Sequence, residues 1–208
     1  MRRLQGAGRR GHGAMGFLTE RPPATVEVGG REVPVNADYR VMLRIDELPD
    51  GMPEAARGMR ALQLFYGEVP ADVDAAAARM LWFMQCGKKG GAADGGGKPA
   101  QPDFSFSHDG ALIYAAFLEQ YGIDLVDVPF LHWWTFRALL DGLSDGHLFC
   151  EVRRCRAMEL GRVKDKEQQR YYREMKKRYA LPLPGGEQGR LDAITEALLH
   201  GGDVNAVL

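Results

Sequence analysis

Residues 111–143 read ALIYAAFLEQYGIDLVDVPFLHWWTFRALLDGL, the longest strongly apolar segment of the chain and the richest in aromatic side chains. The pattern predicts two helices joined by a short apolar turn. The first starts at Ser107 or Asp109, either of which caps a helix N-terminus. It sets Leu112, Ala115 or Ala116, and Leu118 or Glu119 at helical spacing and stops at Gly122. The second has Pro129 in its first turn and ends at Gly142. Phe130, Leu131, Trp133, Trp134, Phe136, Leu139 and Leu140 leave it apolar on almost every side, so it is expected inside. Everything else is expected to wrap this helical hairpin.

Outward from it, ATVEV (24–28), Gly29-Gly30 and REVPV (31–35) form a β-hairpin by alternation and turn chemistry, with Pro34 marking an edge or the end of the pairing. Asp38 caps a helix carrying Tyr39, Met42, Leu43 and Ile45. A second, over 53–66, places Ala55, Met59, Leu62 and Phe65 or Tyr66 inward. A third, introduced by Pro70 and Asp72, does the same with Val73, Ala76 or Ala77, Met80 and Phe83 or Met84. Beyond the central hairpin, Ser144 caps a helix with Leu148, Val152, Cys155 and, at its far end, Leu160 on one face and Arg153, Arg154 and Arg156 on the other, broken at Gly161. A basic helix over 164–179 follows, with a seam of Tyr171, Tyr172, Met175 and Tyr179, and pairs Glu167–Arg170 and Glu174–Arg178 for support.

The fold class is therefore mainly α: a compact helical domain with a small N-terminal β-hairpin. Residues 1–14 form an arginine- and glycine-rich leader, expected to be disordered, with Met15 as the expected true start. Residues 15–86 carry the hairpin and three helices, and the glycine-rich stretch 87–102 is a flexible linker. Residues 103–181 complete the same domain, and 182–208 make a tail with an amphipathic helix near 187–199.

With 208 residues and 45% hydrophobic content the chain is long enough for a sizeable core. No window approaches the length of a membrane span. Three cysteines, Cys86, Cys150 and Cys155, are too few for a disulfide framework and fit a reducing compartment. The net charge of −1 hides a split, because residues 152–179 hold eleven Lys or Arg against four Asp or Glu. Such a face suits an acidic partner, or is simply solvated.

Chemistry is sparse. His147, Cys150 and Cys155 are the best-spaced metal ligands, yet a structural zinc needs a fourth, and two cysteines on a helix face serve equally as small apolar residues. His132, within the most apolar helix, is expected to bond a backbone carbonyl or a carboxylate such as Asp124 or Asp127. Gly97-Lys98 fails as a phosphate loop, since Ala92 stands where glycine is required and Pro99 where a hydroxyl must hold magnesium. No catalytic, cofactor-binding or metal site is assigned, and no enzyme is expected. Tyrosines among cations on 164–179 also suit nucleic acid, but a sequence pI near 6.5 weighs against it.

The runs FLTERPPATVEVGGREVPVNADYR (17–40), LQLFYGEVP (62–70), LWFMQCGK (81–88), LIYAAFLEQYGIDL (112–125), LHWWTFRALLDGL (131–143) and KDKEQQRYYREMKKRYAL (164–181) resemble the bacteriophage "gene product fifteen" family. That family is encoded near the tape-measure gene of long, flexible-tailed phages and prophages. The resemblance implies a tail-morphogenesis protein acting by protein binding in the cytoplasm of the bacterial host. Its expected role is that of an assembly chaperone or accessory for the tape-measure protein, with the tail-tube protein as a further partner. Alternatives are a structural component of the virion tail and a nucleic-acid-binding phage protein. The resemblance supplies no catalytic residues.

Overall fold

The computed structural model describes residues 18–49, 51–88 and 102–182. The leader to Phe17, most of the linker and the tail from Leu183 lie outside the described residues, as does the amphipathic helix expected at 187–199. Thr25–Val28 (β1) and Arg31–Pro34 (β2) pair antiparallel, with Val26 opposite Val33 and Val28 opposite Arg31. Gly29 and Gly30 both take positive φ, +55° and +78°, which the two-residue turn demands. Val26 and Val28 face the core, and the pairing ends at Pro34, on the strand's last position. On the far side of β1, Arg79 donates from Nε to the Glu27 carbonyl at 2.8 Å, covering that edge.

Among the described residues the strands precede seven α-helices: Tyr39–Asp46 (α1), Glu54–Tyr66 (α2), Val73–Met84 (α3), Phe106–Tyr121 (α4), Trp133–Asp141 (α5), Leu148–Ala157 (α6) and Lys166–Arg178 (α7). Asp38 and Asp72 cap α1 and α3 as the sequence predicts, accepting from the Arg40 and Ala75 amides. In α2 only the C-terminal half reaches the core; Ala55 and Met59 are exposed.

The central hairpin is present, with three corrections to its neighbourhood. Helix α4 is capped by Ser105, while Asp109 is buried, and Ile113, Ala116 and Phe117 face inward in place of Leu118. Helix α5 begins at Trp133, not near Pro129. Two competitors take the backbone that an earlier start would need. An isolated β-bridge between Asp38 and His132 claims it first, through Tyr39 N–H to the Leu131 carbonyl (3.0 Å) and Trp133 N–H to the Ala37 carbonyl (2.8 Å). His132 then caps the helix by accepting the Trp134 amide on Nδ1 at 3.0 Å. Helix α6 begins at Leu148, and Ser144 lies in the turn before it. Phe149, Val152 and Cys155 are its buried residues, and Leu148 faces out.

Helix α5 is the hub. Phe136 stacks on Tyr39 of α1 (4.6 Å between centroids) and on Phe117 of α4 (5.1 Å). Trp134 lies against Trp82 and Phe83 of α3. The indole of Trp133 donates to the Met84 carbonyl at 2.9 Å, and that of Trp134 to the Phe83 carbonyl at 2.8 Å. Those carbonyls end α3, where the helix has few partners of its own to offer. Gly87 follows at φ +73°; a Cβ there would sit 2.8 Å from Trp134 Cη2. One core cluster thus includes residues on both sides of the linker.

A second anchor joins α4, α6 and α7. Asp109 and Arg156, 2% and 7% exposed by side chain, form a two-pronged ion pair with distances of 2.6 and 2.9 Å. Arg156 also donates to the Tyr179 carbonyl at 2.6 Å and the Asp103 carbonyl at 3.1 Å. The Ser105 amide donates to Asp109 at 3.0 Å. Burial alone would push the Asp109 carboxyl up, but the Arg156 hydrogen bonds and the Ser105 amide outweigh it and hold it below the ordinary carboxylate value. Arg156, expected on the solvated face, is therefore an internal residue.

Candidate functional site

The candidate metal ligands have separate occupations. His147 meets Gln120 Oε1 through Nε2 at 2.8 Å and Glu119 through Nδ1 at 3.4 Å. Cys150 points its thiol at the Leu143 carbonyl, and Cys155 is buried in the α6 face. Burial pushes both thiols above their ordinary pKa, away from the thiolate a metal requires. Among the described residues no three His, Cys, Asp or Glu side chains are grouped to hold a metal ion.

His132 accepts the Trp134 amide on Nδ1, so Nε2 carries the proton and donates to the Pro23 carbonyl at 3.1 Å. Burial lowers its pKa, keeping the ring neutral. The expected carbonyl partner is thus present, and Asp124 and Asp127 are engaged elsewhere or exposed.

Helix α7 has no fully buried residue. Tyr172, Met175 and Tyr179 are half-buried, while Tyr171 stays exposed and donates to Glu151 at 2.8 Å. Gln169 ties the helix start to the Val163 carbonyl. The ion pair within the helix is Arg170 with Glu174, at 4.0 Å. Arg153 bonds Asp103 and covers the Phe104 ring, and Lys176 is half-buried. The exposed cations of α7 are Lys166, Arg170, Arg173, Lys177 and Arg178.

The feature that sequence reasoning missed is the connection between α4 and α5. Its backbone is held from several sides. Arg40 Nη2 donates to the carbonyls of Leu125 (2.9 Å), Val126 (3.3 Å) and Val128 (2.6 Å). The Tyr39 hydroxyl adds a bond to Leu125 at 2.5 Å. Asp124 accepts the Val126 and Asp127 amides and the Tyr114 hydroxyl, and these donors, the Val126 amide foremost, hold its carboxyl below the ordinary range. On this fixed frame Val126 is 75% exposed and Phe130 57%. Apolarity had suggested an interior helix turn. The only sequence signal to the contrary is Asp124 three residues before Asp127, an Asx-turn pattern ahead of the proline.

An open cleft of about 780 Å³ lies between β2 and the α2–α3 connection, lined by Val28, Val33, Tyr66, Val69 and Pro70 among others.

These features describe a mainly helical protein whose interior is spent on packing and whose distinctive side chains lie at its surface. Residues 18–181 match the family described as "Bacteriophage Gp15 protein", and the chain belongs to that family. No curated protein and no solved structure matches it. Among the described residues no helix is long and apolar enough to cross a membrane.

Proposed function

We propose that this phage protein acts by binding and not as an enzyme, serving as an assembly chaperone or accessory for the tape-measure protein during tail morphogenesis in the bacterial cytoplasm. A tape-measure protein is a very long helical chain with apolar stripes, and unassembled it is prone to aggregate. A compact partner that covers those stripes while tail-tube subunits accumulate keeps it competent. The observation that carries the reading is the rigid display of Val126 and Phe130 outside a closed core. Large apolar side chains fixed in water are affordable where a partner covers them. The tyrosine seam of α7 is less available for this role, being partly turned inward.

Co-expression with the tape-measure protein is expected to raise its soluble fraction and give a co-purifying complex; unchanged aggregation and no complex refutes the proposal. Mass spectrometry of purified particles separates a chaperone, absent from the finished tail, from a structural tail component.

A further inference from the structure

The α4–α5 connection has a definite partner chemistry, and we infer that it docks a basic amphipathic helix, one with lysine or arginine beside its apolar stripe. The inference rests on the binding reading above and specifies where and what the protein binds.

Rigidity comes first. Surface loops ordinarily keep freedom that binding would have to freeze, at a cost to affinity. Here Arg40, Tyr39 and Asp124 have frozen it in advance, with six bonds to the backbone of residues 125–128. Val126 lies within the clamped stretch, and Phe130 just before Leu131, whose carbonyl accepts the Tyr39 amide at 3.0 Å; they are an aliphatic and an aromatic side chain four positions apart. Those are anchors of the type that dominate interfaces once desolvated.

Charge then selects the occupant. Residues 118–131 contain Glu119, Asp124 and Asp127 and no Lys or Arg. Asp127 is exposed and the Glu119 side chain is 77% accessible, although it also faces His147. Arg40, which contacts this segment, is engaged by Asp38 and by backbone carbonyls. The surplus of acid along this segment disfavours nucleic-acid phosphates and anionic lipid headgroups, so its exposed apolar side chains suit a protein segment that brings cations of its own. A helix with such a stripe offers apolar side chains on one face and lysine or arginine stems along the border.

The test uses the full chain and two synthetic helical peptides with an identical leucine stripe, one flanked by lysine and the other by glutamate. Fluorescence anisotropy is expected to show binding of the lysine peptide, weakened by salt, and much weaker binding of the glutamate peptide. The double variant Val126→Ser/Phe130→Ser should lose about tenfold or more in affinity. The control Leu81→Ser/Leu148→Ser, which alters two other exposed apolar residues, should lose little. Arg40→Lys keeps the charge but not the three-carbonyl clamp, and should weaken binding while leaving the far-ultraviolet spectrum unchanged. Equal binding by the Val126/Phe130 variant, an equal loss in the control, or equal affinity for both peptides overturns the site. If the intact chain and the Val126/Phe130 variant solubilise the tape-measure protein equally, the site fails and the chaperone survives. If neither does, yet peptide binding depends on Val126 and Phe130, the chaperone fails and the site survives.

Discussion

Replacing Arg156 with Met would remove the one cation that compensates the buried Asp109 carboxylate and would also release the Tyr179 and Asp103 carbonyls. Removing one partner of a buried ion pair costs about 3–5 kcal/mol, because the remaining charge is stranded away from water. For a chain of this size that corresponds to a fall of about 10 °C or more in the thermal midpoint. The pH dependence is diagnostic. In the intact protein Asp109 has a lowered pKa, so the stability it contributes is fully present above the ordinary value of 3.8 and is lost as pH falls through the lower folded value. Without Arg156 burial dominates and the folded pKa rises. The deficit of the variant should then be greatest at neutral pH and shrink as pH falls towards the carboxylate range. Adding Asp109→Asn should recover much of the loss, since a neutral amide needs no counter-charge. Urea titrations at pH 7 and pH 5 measure all three, and hydrogen exchange should show α7 opening more readily. A loss below about 1 kcal/mol, a deficit equal at both pH values, or no recovery on adding Asp109→Asn would refute the account.

Four further outcomes follow from the packing. Gly87→Ala places a methyl group against the Trp134 ring at positive φ and should cost about 1–3 kcal/mol, read by urea titration. Trp134→Phe strips the donor from the Phe83 carbonyl and leaves a void, so a loss of about 2–4 kcal/mol is expected by the same measurement. Burial pushes the Tyr66 hydroxyl, bonded to the Ala76 carbonyl, up to about 12. Its contribution is present below pH 10 and is lost as pH rises from 10 through 12, so ultraviolet titration should show late tyrosinate formation tied to alkaline unfolding. By contrast, Val126→Ser/Phe130→Ser should alter stability by no more than about 1 kcal/mol, which separates a binding defect from a folding one.

Element types were legible wherever local chemistry acts alone: the paired glycines of the hairpin, the Asp38 and Asp72 caps, and the Gly122 stop. What escaped was settled by residues distant in sequence. Pro129 looked like a helix start because nothing nearby reveals that Arg40 claims the carbonyls of Leu125, Val126 and Val128 or that Ala37 and Tyr39 take the backbone of Leu131 and Trp133. Arg156 and Asp109 each resemble surface residues taken singly; only as a pair, 47 positions apart, are they tolerable inside. The same blindness concealed the loop. Phe130 read as interior, and the turn before it as apolar, because hydropathy reports what a side chain prefers and not where the distant Arg40 and Tyr39 place it.

The indoles of Trp133 and Trp134 grip the end of α3 from within α5, so the two halves of the polypeptide are clasped by their own interior. The chain joining Lys88 to Pro102 therefore need only keep the two halves on one polypeptide. Doubling its length would cost only about 0.6 kcal/mol in closure entropy. Separately made pieces broken within it should find one another and rebuild the native near-ultraviolet spectrum, which marks this stretch as the natural place to insert a tag or a reporter.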